Sequence, residues 1–489
     1  MIARILNASL LCCVSLAVTA CSFAPKYERP EMDVPAEWRA VDTGTEPLSQ
    51  NWWERFNDPV LNALVTEALA NNQDIEEALG KVDSAQAQLG QGRAALLPSV
   101  TATGAASSDS SSWRAPNSQG FTTRTGAVRT PTTYQGKLGA SWELDLWGKY
   151  RNAYTALSDV LLSTRASTAA TRLLVAGQTA QGYFTLLALD MQLDTARRTL
   201  KTREDGFTIY TNRYKQGDIT ELDWLRAKSE VEVARAQLHT TTVGVDSAEA
   251  ALAVLLGRSP RDIMSRAMER GKGIASLPAP PVLPAGLPSE LLQRRPDIRS
   301  AELALMAYNA NIGIARADFF PSISLTSAIG TLSSAVGTLF TGPAGVWSYG
   351  AQGAMPILDF GRTWYSVKDA EAQKRQAIAV YRKTVQSAFQ DIRTALTSQR
   401  EADTIVASYQ AQVDNMRRAT ELARLQYDNG YTDYLTVLDA ERQLFAAELQ
   451  LATSMSDRLN AVVSVCMALG GGWNDPDLHQ APAQTQTIP

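Results

Sequence analysis

The sequence has few cysteines and histidines and almost no long apolar segment. Its 489 residues include four cysteines and two histidines, His239 and His479. Two histidines cannot form a multi-histidine metal site. Beyond the N-terminus, no apolar run approaches the roughly 20 residues that a helix needs to cross a bilayer. Any crossing of a membrane would therefore be made by strands.

The chain also has no excess of basic charge and no fingerprint of a common enzyme class. Lys and Arg number 46 against 50 Asp and Glu, which gives a formal net charge of -4. This balance argues against a nucleic-acid partner held by a general basic field. No G-x-S-x-G, P-loop or Rossmann motif occurs. The sequence therefore predicts neither an enzyme nor a nucleic-acid-binding protein.

The N-terminus has the features of an export signal. Residues 1–20, MIARILNASLLCCVSLAVTA, combine an early arginine, an apolar run and small residues at the end. The segment from Val18 to Cys21 resembles the bacterial lipobox, which implies a diacylglycerol and an N-acyl chain on Cys21; the alternative is an ordinary signal peptide that contains a cysteine. Ser22 follows, and the lack of Asp there favours the outer membrane, by resemblance to lipoprotein sorting. Processing would leave only Cys466 as a thiol, which excludes an intramolecular disulfide.

Three blocks of the sequence occur twice in the same order. YKQGDITELDWLRA at 214–227 matches YDNGYTDYLTVLDA at 427–440, with Tyr, Gly, Leu, Leu and Ala in register. LGQGRAALLPSVTATGAA at 89–106 matches IGIARADFFPSISLTSAI at 312–329, and WELDLWGK at 142–149 matches PILDFGR at 356–362. The chain is therefore an internal duplication.

Four segments alternate between apolar and polar residues, as strands with two different faces do. We expect strands at about 98–107, 133–147, 321–330 and 347–358. An apolar outer face and a polar inner face are typical of membrane barrels. The alternative is a soluble β-sandwich with one wet face. In the barrel interpretation, four strands cannot close and other copies must cover the open edges.

Two long segments without proline predict long helices. They run from Lys149 to about Gln216 and from Gly361 to about Asn429, and each would be about 100 Å long if unbroken. After each repeated turn a further helix is expected. In the second copy it carries two apolar stripes, one of them beginning at Leu435, which predicts coiled-coil packing on both sides.

In these features the chain resembles the TolC-like outer-membrane efflux proteins, and specifically the lipoprotein (NodT/OprM-type) branch of tripartite RND efflux systems. Further motifs carry the resemblance: WWERFNDPVLNALVTEAL at 52–69, NNQDIEEA at 71–78, QRRPDIRSAE at 293–302 and LGGGW at 469–473. The resemblance implies an α+β membrane protein, a homotrimer with one 12-stranded β-barrel, a long periplasmic α-helical barrel and an equatorial domain.

The same resemblance implies a division of the chain. We expect a signal peptide at 1–20, a lipid-anchored equatorial segment at 21–60, a first repeat at 61–256, an equatorial connector at 257–296, a second repeat at 297–470 and a polar tail at 471–489.

For function, the resemblance implies the exit duct of an efflux pump for drugs, metal ions or other small solutes. The implied partners are a periplasmic adaptor (membrane fusion protein), an inner-membrane RND-type pump and outer-membrane lipid. No cofactor is expected beyond the lipid on Cys21. Two alternatives remain: the outlet of a type I protein-secretion system, and a lipid-anchored periplasmic spacer.

The resemblance also implies a gate at the helix turns. The family's ring of carboxylates matches Asp439, its constricting apolar ring matches Leu435, its linking tyrosine matches Tyr427, and the acidic position of the first copy matches Asp223. Two departures from TolC itself, Thr432 and Thr436, stand where that protein has an arginine and a second carboxylate. The alternative is that Asp439 is a solvated helix residue and Tyr427 packs a turn.

Overall fold

The computed structural model describes residues 22–35, 49–108, 132–265, 267–277 and 291–473. Cys21, the signal segment 1–20 and residues 474–489 of the tail lie outside the described residues. Two compact units share the chain. The sheet unit contains residues 22–30, 84–108, 132–161 and 303–379, and the helical unit contains the other described residues.

Most of the described chain is helical. The α-helices are α1 (Pro59–Asn71), α2 (Gln73–Ala94), α3 (Lys149–Gln216), α4 (Glu221–Leu255), α5 (Pro260–Ser265), α6 (Leu291–Arg294), α7 (Pro296–Ala317), α8 (Arg362–Asp428) and α9 (Tyr434–Ala468). The strands are β1 (Ser99–Ser108), β2 (Thr132–Glu143), β3 (Ser322–Ser333) and β4 (Gly345–Ala354). No described helix is both long and apolar enough to span a membrane.

The four strands form one antiparallel sheet in the order β1-β2-β3-β4. The register places Leu138 of β2 opposite Ala102 and Ile329, and it places Ile329 opposite Trp347. Directly opposed residues share a face, so one side of the sheet carries these large apolar residues. The other side carries mainly Ser, Thr, Gln and Gly. The predicted alternation of the strands is thus confirmed.

Two strands end earlier than their sequence pattern predicts. β2 stops at Glu143 rather than near 147, because the Asp145 carboxylate turns back to accept hydrogen bonds from the backbone of Tyr150 (3.1 Å) and Arg151 (2.9 Å). β4 stops at Ala354 rather than near 358, just before Pro356, which has no N–H for the ladder.

The repeated block that follows each strand pair caps a long helix. In the second copy, the Asp359 carboxylate accepts from the backbone N–H groups of Gly361 (3.0 Å) and Thr363 (2.9 Å). Gly361 has a φ of 87°, which favours glycine, so α8 begins at Arg362 rather than at Gly361 as predicted. α3 has the predicted bounds, Lys149–Gln216.

The first described residues lie against the helices of the sheet unit. The Ser22 hydroxyl donates to Asn152 Oδ1 at 2.8 Å, and Asn309 Nδ2 donates to the Pro25 carbonyl at 2.7 Å. The Phe23 ring stacks on Phe320 with the centroids 4.5 Å apart. Residues 22–25 are therefore fixed to this unit by both polar and aromatic contacts.

The helical unit contains the main hydrophobic core. The tryptophan-rich motif supplies Trp52 and Phe56, and buried Asp58 caps α1 while accepting a 2.8 Å hydrogen bond from the Tyr183 hydroxyl. Other large core residues are Leu61, Phe184, Leu186, Leu252, Leu256, Ile274, Leu459 and Val463.

The duplication is visible where α4 and α9 end. Gly257 (φ 66°) and Gly470 (φ 90°) hold equivalent positions, and neither leaves room for a Cβ against the backbone of Asn71 and of Arg294, respectively. Asn72 Nδ2 then donates to the Leu255 carbonyl at 2.8 Å, and Arg295 Nη1 to the Ala468 carbonyl at 3.3 Å. The motifs NNQDI and RRPDI therefore contact the C-terminal ends of α4 and α9 in equivalent ways.

Candidate functional site

Two turns that join long helices carry the predicted gate. Gly217 and Gly430 end α3 and α8 in the left-handed region, with φ of 83° and 73°. In both turns the glycine N–H and the next N–H bond back to helix carbonyls, which closes the helix in a Schellman motif. These bonds run from Gly217 to Tyr214 (3.0 Å), Asp218 to Arg213 (2.9 Å), Gly430 to Tyr427 (3.0 Å) and Tyr431 to Gln426 (2.8 Å).

The helices that follow the turns are capped by different residues. Thr220 Oγ1 accepts from the Asp223 backbone N–H at 3.2 Å, whereas Asp433 Oδ1 accepts from that of Thr436 at 3.1 Å. The Thr436 hydroxyl also donates to Asp433, at 2.9 Å, and the Thr432 hydroxyl donates to Thr436. Hydrogen bonds from the side chain and then the backbone of Thr436 hold the pKa of Asp433 below its ordinary value. The two departures from TolC, Thr432 and Thr436, thus belong to a helix cap.

Tyr427 lies in a cluster of three tyrosines at the turns. Its ring centroid is 6.1 Å from that of Tyr210 and 5.5 Å from that of Tyr434, and Tyr210 and Tyr434 are 4.2 Å apart. Burial, followed by the neighbouring tyrosines, raises the pKa of Tyr210, and burial followed by Glu441 raises the pKa of Tyr434. The cluster links the ends of α3 and α8 to the start of α9.

Asp223 lies in the first turn of α4 and already has partners there. It accepts from the Thr220 hydroxyl at 2.8 Å and lies 3.6 Å from Arg226 Nη1. The next residue, Trp224, stacks on Tyr214 with the centroids 5.5 Å apart. Asp223 is therefore half-buried within the first tip, which is the structure formed by the first turn and its flanking helices.

Leu435 and Asp439 share one exposed face of α9. Their i, i+4 spacing places them one turn apart. The Leu435 side chain is 44% exposed, although it begins an apolar stripe, and Asp439 is exposed and accepts from Gln443 Nε2 at 2.6 Å. The structure thus brings Leu435 and Asp439 together, and places Tyr427 and Asp223 in separate side-chain clusters.

A buried ionic cluster just behind the turns was missed by sequence reasoning. Glu230 of α4 is 2% exposed, and Arg203 of α3 donates to its Oε2 at 2.6 Å. Arg442 of α9 bonds to the other oxygen, with Nε at 2.7 Å from Oε1. One carboxylate therefore joins three helices. Glu230 occupies a position in an apolar stripe of α4, next to buried Val231, and this position is the feature of the sequence that indicates its burial.

Among the described residues, no group of three or more His, Cys, Asp or Glu side chains is placed to hold a metal ion. The geometry at the turns offers instead an exposed apolar and acidic face on long helices.

Comparison with known proteins shows which class of protein this is. A model of the family described as "Outer membrane efflux protein" matches residues 64–258 and 287–471. The chain belongs to this family.

Individual efflux proteins are similar over nearly the whole chain. The toluene efflux pump outer membrane protein TtgC of Pseudomonas putida is 35% identical over 479 residues, which is 94% of this chain and 95% of the relative. The cation efflux system protein CusC of Escherichia coli K12 is 34% identical over 470 residues, covering 94% and 98%.

Solved structures of efflux channels share the fold. The CmeC outer membrane channel of Campylobacter jejuni superposes with a TM-score of 0.86 at 27% identity, over 93% of this chain and 95% of that one. A crystal structure of CusC gives 0.79 at 32% identity, over 92% and 100%. The family resemblance and the internally duplicated TolC-like fold expected from the sequence are thus confirmed. The gate roles of Leu435, Asp439, Tyr427 and Asp223 in this efflux protein stay predictions.

Proposed function

We propose that this efflux protein is the outer-membrane exit duct of a tripartite pump and acts as a homotrimer. The observation that carries the proposal is the sheet, which has one side of large apolar residues and one polar side. Trp347 and Tyr349 on the apolar side are exposed in the single chain. Four strands cannot close a barrel, whereas three copies supply twelve strands with an apolar outside and a polar lumen.

The duct itself conducts passively, and its partners supply energy and contacts. We infer a periplasmic adaptor of the membrane-fusion type and an inner-membrane pump of the RND type. Relatives named for toluene and for cations are about equally similar to the chain, at 35% and 34% identity. The cargo is therefore proposed only as a class, namely small solutes such as drugs and metal ions.

We place the gate on the exposed face of α9. Three copies would bring three Leu435 side chains and three Asp439 carboxylates to the tube axis, one turn apart. A ring of carboxylates attracts cations, and an apolar ring hinders the passage of water and ions. Tyr427 and Asp223 would hold the two tips in the closed arrangement through the contacts they make within each chain.

Conductance across a planar bilayer tests the duct and its gate. Leu435→Ala with Asp439→Ala should raise single-channel conductance well above that of the wild type. The matched control is Leu222→Ala, at the position of the first copy that is equivalent to Leu435, which should have little effect. No conductance from any variant would contradict the duct, and an equal rise in the control would contradict a gate confined to α9.

The lipid anchor on Cys21 is a separate proposal. It is supported by the lipobox resemblance of the segment from Val18 to Cys21. Radioactive palmitate should label the wild-type protein in cells and should not label Cys21→Ser. Unchanged labelling of the variant would refute the anchor without touching the duct.

A further inference from the structure

The four strands carry only two charged side chains, Lys137 and Glu143, both on β2. Glu143 is the last residue of its strand and accepts a 2.9 Å hydrogen bond from the Tyr150 hydroxyl. Lys137 lies in the middle of the strand instead. In the described part of the chain, no carboxylate comes within 4 Å of its ammonium group.

The register shows which way Lys137 points. It lies directly opposite Thr103 of β1 and Gly330 of β3, on the side of the sheet that carries mainly small polar residues. The next residue, Leu138, points to the opposite side together with Ile329 and Trp347, and it is 54% exposed. Successive side chains of a strand alternate between faces, so the lysine belongs to the polar face.

The lack of a side chain at Gly330 leaves space beside Lys137. A Cβ at Gly330 would lie 2.7 Å from the Lys137 Cα and would also collide with the Gly136 carbonyl. The absence of a side chain there leaves the surface beside Lys137 free for its aliphatic stem. Lys137 is half-buried on the polar face, and no carboxylate of the described residues neutralises its ammonium group.

We propose that Lys137 is a charge-selectivity residue of the duct. The proposal rests on the proposed function, because only closure of the sheet by three copies turns the polar face into a lumen. One lysine per chain then forms a ring of three positive charges at mid-height of the strands. Such a ring favours anionic solutes and opposes cations. It acts in the opposite sense to the carboxylate ring proposed at Asp439.

Ion permeability tests this role. In the background opened by Leu435→Ala and Asp439→Ala, Lys137→Gln should lower the chloride-to-potassium permeability ratio by about twofold at 0.1 M salt, and less at 1 M because salt screens the ring. Lys137→Glu should lower it further. The matched control, Lys272→Gln, removes the same charge from an exposed residue outside the strands and should leave the ratio unchanged.

The outcomes separate the two proposals. Conductance with an unchanged permeability ratio in both Lys137 variants would overturn the selectivity role alone. A complete lack of conductance in every variant would overturn the duct and, with it, the selectivity role. A change of the same size in Lys272→Gln would assign the effect to net charge and would also overturn the role of Lys137.

A thiol-labelling experiment tests the orientation independently. In the same background, an anionic methanethiosulfonate should change the conductance of Lys137→Cys and leave that of Leu138→Cys unchanged. The native Cys466 should not react, since it is 1% exposed and burial raises the pKa of its thiol to about 12. Equal effects at positions 137 and 138 would overturn the proposal.

Discussion

The two tips of this efflux protein have the same backbone turn but differ in the positions of their charged side chains. Gly217 and Gly430 form the same turn in nearly the same conformation. Behind the first turn, Glu230 is buried with Arg203, whereas the equivalent residues of the second copy are Gln443 and Met416. Duplication has therefore kept the turn and changed the side chains on the helices that leave it.

Because of this difference, the two copies have different roles at the turns: the first holds α9 in place, and the second carries the proposed gate residues. The first copy buries a carboxylate, and Arg442 of the second copy bonds to the same group, so the two helical hairpins, α3–α4 and α8–α9, meet at one ionic centre. The second copy leaves Leu435 and Asp439 on an exposed face. The contrast indicates that the first hairpin fixes the position of α9, while α9 presents the residues that would meet other copies.

Removing Arg203 should have the largest effect. Arg203→Met introduces the residue that the second copy carries and leaves the Glu230 carboxylate with only one of its arginines. Loss of one partner from a buried ion pair costs on the order of 3 kcal/mol in the free energy of unfolding. Urea denaturation in detergent, followed by circular dichroism at 222 nm, measures this loss.

The control variant also replaces Glu230 by glutamine, the residue that the second copy carries at the equivalent position. Arg203→Met with Glu230→Gln removes the buried charge as well, so at least half of the lost stability should return. Arg442 would lose its carboxylate but is 57% exposed and can be hydrated. A double variant less stable than Arg203→Met would show that the cluster is not held by charge pairing.

Replacement of the turn glycines should have smaller and nearly equal effects in the two tips. Open space surrounds the Cβ position of Gly217 and of Gly430, so alanine meets no neighbour and only the left-handed backbone is strained. Gly217→Ala and Gly430→Ala should each cost about 1 kcal/mol in the free energy of unfolding. Hydrogen exchange should show the loss at the amides of Asp218 and Tyr431.

A helical glycine provides a control of opposite sign. Gly206 of α3 also has open space around its Cβ position but a helical backbone. Gly206→Ala should therefore stabilise the protein by about 0.5–1 kcal/mol. Destabilisation by all three substitutions would mean that the turns are not special. Clearly unequal costs at Gly217 and Gly430 would mean that the two turns are not equivalent.

The sequence predicts the elements of this fold well because most of them are periodic. The alternation of apolar and polar residues locates all four strands, and the lack of proline locates α3 and α8. The errors lie where local hydrogen bonds override the pattern. Leu144 and Leu146 continue the alternation of β2, yet the Asp145 carboxylate ends the strand by capping α3.

The site is less predictable, because a stripe of apolar residues does not reveal which surface covers it. Leu435 has the spacing of a core residue but is exposed in the chain, whereas Leu438, one turn later, is buried. Glu230 shows the reverse. Charged residues on long helices are usually solvated, and the burial of Glu230 depends on Arg203 and Arg442, which come from two other helices.

Acidification should produce the smallest effect, which we expect at the cap of α9 in the second tip. Asp433 caps α9 as a carboxylate, and its pKa in the folded protein lies below the unfolded value because Thr436 donates two hydrogen bonds to it, with help from the charge of Arg226. A group with a depressed pKa contributes stability above its unfolded pKa of about 4, and this contribution is lost as the pH falls through the folded pKa. The Thr220 hydroxyl that caps α4 does not titrate there.

Hydrogen exchange at the Thr436 amide, corrected for its intrinsic rate, measures this acid response. Protection should decrease as the pH falls from about 5 to about 3, where the Asp433 carboxylate begins to take up a proton. Asp433→Asn retains a capping oxygen without the charge, so protection at this amide should become independent of pH in the variant. The same pH response in Asp433→Asn would assign the acid sensitivity of the second tip to another group.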